Sequence, residues 1–154
     1  MIQRIQSVYL LIAALLLLAS FWLPLAQFIN DGDLQATQRV CAIVVFENGH
    51  QVATSIQWGT LTFTTLAIIA AIADIFLYKN RGLQLVFANW FLITILLSVL
   101  TGIGGAYYFT RIQGTTVTPA YGIIFLVLAY VLGWLARRAI RKDEEMVRAA
   151  ERIR

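Results

Sequence analysis

Few side chains in this chain are of a type that could do chemistry, and the first of them is Asp74. It is the one acid inside an otherwise apolar run from about Thr60 to Tyr78. A carboxylate at membrane depth is costly, so it marks a proton or ion pathway, or else a polar clamp. It lies four residues before Tyr78 and five before Lys79, about one helical turn from the end of the run. There it can reach Lys79, Arg81, Arg4 or an arginine at the base of the last apolar run, with Asn89 at a similar depth. A relay needs several ionisable groups along the bilayer. Asp74 stands alone, which favours the clamp.

The other reactive types are sparse. The single cysteine, Cys41, can make no internal disulfide and no CxxC pair, which excludes thiol-oxidoreductase chemistry. The single histidine, His50, falls outside every apolar run, which excludes haem held by helix-borne histidines. His50 and Glu47 flank a turn, but two ligands make a weak metal site, and a cross-strand polar pair is the better reading. No serine, threonine or aspartate has a histidine or lysine beside it to make a nucleophile. The stretch from Thr101 to Ala106 has the glycines of a phosphate loop and none of its other residues. The expectation is no catalytic residue, no cofactor, no metal and no enzymatic activity.

These residues must be positioned by membrane elements. Apolar residues make up 60% of the 154 and charged residues 13%, against roughly 45–50% and 25% in soluble domains. Four apolar runs, at 8–28, 60–78, 83–109 and 119–135, are near the roughly 20 residues needed to cross a bilayer. The first lacks a convincing cleavage site, so it reads as an uncleaved anchor with Pro24 near its outer end. Pro119 suits the first turn of the fourth helix. The expected fold class is therefore an all-α membrane protein, a four-helix transmembrane bundle.

Orientation follows the basic residues. Arg4, Lys79, Arg81 and seven in the tail fall on one side, and Arg39 and Arg111 on the other. Both termini are thus expected in the cytoplasm of a bacterial inner-membrane protein. No basic groove with interleaved aromatics points to nucleic acid.

The outer loop 30–57 contains Asn48-Gly49 between β-rich runs, the strongest short signal for a hairpin. A two-residue turn pairs Glu47 with His50, Val45 with Val52, and Ile43 with Thr54. The segment Arg111 to Pro119 is β-prone and could add a third strand. Residues 136–154 continue the last helix into the cytoplasm as a tail, with Glu144 and Arg148 at i,i+4. Arg141, Glu144, Val147 and Arg148 are its candidate partner-binding residues. Gly102 and Gly105, with Ala67, Ala71 and Gly133 opposite, suit close helix approach.

The start MIQRIQSVYLLIAALLLL, the turn LYKNRGLQ at 77–84 and the close AIRKDEEMVRAAERIR resemble a bacterial family of four-span inner-membrane proteins known as a domain of unknown function. The resemblance implies a four-helix membrane bundle and carries over no catalytic residue. The three matching segments share the cytoplasmic side, which suggests that the inner face does the family's common work. The layout is also similar to the claudin type, without that family's paired cysteines and tryptophan motif. The chain is expected to sit in membrane lipid and to bind a protein partner, or further copies of itself, as a non-enzymatic subunit. The alternative is a small-solute or proton conduit using Asp74.

Overall fold

The computed structural model describes residues 2–30, 33–47, 49–77 and 80–152, with side chains at all of these except 2–4, 81, 148 and 150–152. The element order is α1 (Ile2–Ser20), β1 (Ala26–Asn30), β2 (Asp33–Gln38), β3 (Ala42–Glu47), β4 (His50–Ile56), α2 (Trp58–Phe76), α3 (Arg81–Gln113), β5 (Thr116–Pro119) and α4 (Gly122–Arg152). Every strand lies in a connection at one end of the helices. The strands form a single antiparallel sheet in the order β4-β3-β2-β1-β5.

The all-α expectation is therefore wrong. The molecule is four helices capped at one end by a five-stranded sheet. The error begins in the first apolar run, which was expected to be helical to Phe28. Helix α1 stops at Ser20, and Ala26–Asn30 becomes β1, paired with β2 on one side and β5 on the other. Pro24 has no N–H to donate and drives the preceding residue out of helical geometry. Only Ala26 and Phe28 of this short strand are buried, and a five-residue segment continuing an apolar run is too short for hydropathy to separate strand from helix. Phe28 is fully buried there.

Further departures follow from the sheet. The segment after α3 does supply a strand, but β5 joins β1 and not the hairpin. Pro119 ends β5 opposite Ala26 and does not open α4. Glu47 does face His50, but a bulge between Val45 and Phe46 shifts the remaining pairs, so Val45 faces Ala53 and Ile43 faces Ser55. One extra residue in a strand does this, and it increases the local twist. Asn48 lies outside the described residues, while Gly49 has the positive φ of 79° that the turn requires.

Two apolar cores hold these layers. The larger lies among the helices and includes Leu17, Ala67, Ala71, Phe91, Ile95, Leu126 and Ala129. The smaller seats the sheet on the end of α3, where Phe28, Ala36 and Ile43 meet Ala106 and Phe109. The Phe28 and Phe109 rings lie 4.5 Å apart between centroids, tilted at 52°. That spacing is within the favourable range for aromatic pairs. Gly114 ends α3 in the left-handed conformation at φ 65°, with its N–H on the Thr110 carbonyl, and so turns the chain straight into β5.

Helices α2, α3 and α4 are long and apolar enough to cross a membrane; α1 contributes a shorter apolar stretch, Ile5–Ser20. Their outward faces are apolar too. Leu11, Leu15, Ile69, Ile93, Leu100 and Val127 are each about half exposed (50–55%). A contiguous apolar surface of this kind needs lipid or protein around it.

Candidate functional site

The end of the helices away from the sheet carries one buried polar side chain from each helix. Gln6 of α1, Asp74 of α2 and Gln84 of α3 are all under 4% exposed, and Arg137 of α4 has its Nε buried. Counting from the sheet-side ends Ser20, Trp58 and Gly122 at 1.5 Å per residue, Gln6, Asp74 and Arg137 lie about 21–24 Å down their helices. Gln84 is tied to the same level, because its Nε2 donates to the Asp74 carbonyl at 3.2 Å. These four residues form a polar layer at the end of the helices away from the sheet.

The layer is only partly satisfied from within. Both carboxylate oxygens of Asp74, Nε2 of Gln6 and Nε of Arg137 are buried without a hydrogen-bond partner among the described residues. Such groups are expensive in a low-dielectric interior, which makes the layer the strongest candidate for polar chemistry in the chain. The expected clamp partners fare differently. Lys79 lies outside the described residues, as does the Arg81 side chain, so those pairings are outside the description. Asn89 is half-buried in α3, five residues nearer the sheet than Gln84. Gln84, one turn beyond the N-cap Asn80, is the residue level with Asp74, and it bonds the main-chain carbonyl, not the carboxylate. Gln6 was legible only as a polar residue ahead of the first apolar run, and Gln84 as one just inside the start of the third.

The small residues are used within the molecule. The Gly102 carbonyl accepts Nε2 of the buried Gln38, which anchors β2 on α3. A Cβ at Gly105 would overlap Oε1 of Gln57, and one at Gly133 would overlap the Phe91 ring. Ala67 and Ala71 are fully buried in the helix core. Beside them the Thr64 and Ser98 hydroxyls share a 2.6 Å hydrogen bond that joins α2 to α3. Close approach through small residues is thus built into the packing of α2, α3 and α4.

The tail residues lie along the last turns of α4. Arg141 Nε donates to Glu145 Oε1 at 3.1 Å with both side chains about two-thirds exposed (69% and 66%). Glu144 is half-buried, Val147 is exposed, and the Arg148 side chain lies outside the description, so the Glu144–Arg148 pair does too. At the opposite end of the molecule, all seven residues of β4 are exposed. Among the described residues no three His, Cys, Asp or Glu side chains gather as a metal site would require.

The chain belongs to the DUF4293 family, described as a domain of unknown function, which matches over residues 2–153. That agrees with the resemblance carried by the two ends and the inner turn. No curated protein matches the chain. The family description assigns no activity, so no residue here inherits a role from it.

Proposed function

We propose that this protein is a non-enzymatic multi-pass subunit of the bacterial inner membrane, with its arginine-rich end in the cytoplasm, that binds another protein by strand addition to β4. The observation that carries this reading is the state of the two sheet edges. Strand β5 is short, four residues, and ends on a proline. That is how natural sheets blunt an edge. Strand β4 has seven residues, all exposed, and its sequence HQVATSI contains no proline, lysine or carboxylate. An open edge of that length offers main-chain donors and acceptors to an extended segment, with pockets for alternate side chains.

The test is purification in gentle detergent at native expression level, with the bound proteins identified and quantified. A stoichiometric protein, or a second copy of the chain, should be present and should be lost on Val52→Lys, which places a charge on the edge. Removal of residues 141–154 asks whether the tail contributes to the same complex. A protein that purifies alone, or a complex indifferent to both changes, refutes the reading.

The unsatisfied polar layer supports a second reading, a proton or small-cation conduit through Asp74. On that reading, liposomes containing the protein dissipate an imposed proton gradient, and Asp74→Asn abolishes the leak with the fold intact. Equal leak with and without the protein removes it.

A further inference from the structure

A cavity of about 320 Å³ opens between α3, α4 and the sheet. This is within the roughly 300–1,000 Å³ of small-ligand pockets. Its walls are almost wholly apolar, with Val99, Ile103 and Tyr107 on α3, Ile123 and Leu126 on α4, and Val117 on β5. Ile103, Tyr107 and Val117 are 57%, 61% and 42% exposed, so the cavity is a groove open to the side of the molecule.

Its depth follows from the packing of α2 on α3. Gly59 abuts Thr101, and Gln57 abuts Gly105. The interfacial Trp58 at the start of α2 is therefore level with Ile103. Tyr107 stands one turn higher, about 6 Å, in the polar layer that is roughly 5–8 Å thick on each side of the hydrocarbon. The groove from Val99 to Ile103 lies below it, at acyl-chain depth.

A cation stands beside the groove, on its lining residue Tyr107. Helical side chains lean toward the helix N-terminus, so Arg111 reaches back toward the bilayer. Its Nε donates to the Tyr107 hydroxyl at 2.9 Å, and its guanidinium carbon lies 5.3 Å from the Tyr107 ring centroid. Among the described residues no carboxylate pairs with it.

We propose that this groove binds an anionic glycerophospholipid of the sheet-side leaflet, with one acyl chain between α3 and α4 and the phosphate on Arg111. An acyl chain gains little hydrophobic free energy on moving from bulk lipid into an apolar groove. Selectivity must then reside in the headgroup, where guanidinium and phosphate form charge-assisted hydrogen bonds. One exposed cation near the membrane surface contributes about 1 kcal/mol, so the preference for an anionic over a zwitterionic lipid is about fivefold.

The test uses the full chain in detergent micelles with phosphatidylglycerol and phosphatidylcholine of identical chains, read by native mass spectrometry and thermal unfolding. Phosphatidylglycerol should be retained about fivefold better. Arg111→Gln should remove the preference without changing the lipid-free unfolding temperature, and Ile123→Trp should reduce retention of both lipids. Equal retention of the two lipids by the wild-type protein, or an undiminished preference in Arg111→Gln, overturns the proposal. So does stabilisation by glycerol 3-phosphate equal to that by phosphatidylglycerol, because that ligand has no chain to place in the groove.

Discussion

Gly133→Ala tests how the helices are held together. A Cβ on Gly133 would overlap Cε1 of Phe91, and its distance to Cδ1 would be 2.5 Å. Relaxed carbon–carbon contacts lie at about 3.5–4.0 Å, so the ring must retreat by about 1 Å or more. It has nowhere obvious to go, since Phe91 is fully buried within the helix core. Overpacking of this kind costs about 1–3 kcal/mol. Alanine returns up to about 1 kcal/mol of helix propensity. The expected net loss is about 1–2 kcal/mol, or roughly a tenfold shift in the unfolding equilibrium. Between helices in lipid the hydrophobic drive is absent and packing dominates, so little else compensates. Reversible SDS unfolding in mixed micelles measures the loss, and a double-mutant cycle with Phe91→Leu identifies its source. The smaller side chain vacates space for the new methyl, so the pair should cost less than the sum of the single changes by at least about 1 kcal/mol. Wild-type stability for Gly133→Ala, or strict additivity in the cycle, would refute the reasoning.

Further outcomes follow from the same packing. Gly122→Ala should be severe and Gly105→Ala mild under the same unfolding assay. The new Cβ at Gly122 meets the Pro24 backbone oxygen at 2.5 Å, whereas at Gly105 it meets the movable end of Gln57. The order of the two is the check, with a gap of about 1–3 kcal/mol. Thr64→Val should cost about 0.6 kcal/mol, and at most about 1.7, the range for hydrogen bonds between membrane helices. Adding Ser98→Ala should cost less than the sum, because the two hydroxyls share one bond. Asn80→Ala removes the side-chain acceptor for the Leu83 N–H and should destabilise by about 1 kcal/mol, measurable as faster amide exchange at the start of α3. Glu145→Gln should leave stability within error, since its pair with Arg141 is exposed.

What could be read in the sequence was whatever depends on neighbours along the chain. Apolar runs of sufficient length mark α2, α3 and α4, because a lipid-exposed segment must satisfy its own backbone and stay apolar outside. Asn48-Gly49 marks the hairpin, because Gly49 must adopt positive φ. The family, too, was legible, from the two ends and the inner turn. The isolation of Asp74 in its run was plain, and so was its cost.

The tertiary structure decided what depends on partners distant in sequence. Whether Ala26–Asn30 is helix or strand turns on β2 and β5 being there to take its backbone groups, and β5 comes from a segment nearly ninety positions later. The bulge at Val45/Phe46 moved every hairpin pair beyond Phe46–Gln51 by one residue, which nothing in the local sequence announces. Gln6, Gln84 and Arg137 join Asp74 in one layer only because the four helices pack side by side and share one sheet at a common end. The groove beside Arg111 likewise belongs to no single segment. Hydropathy and local propensity act over a few residues, whereas burial, pairing and level within a membrane are properties of the assembled chain.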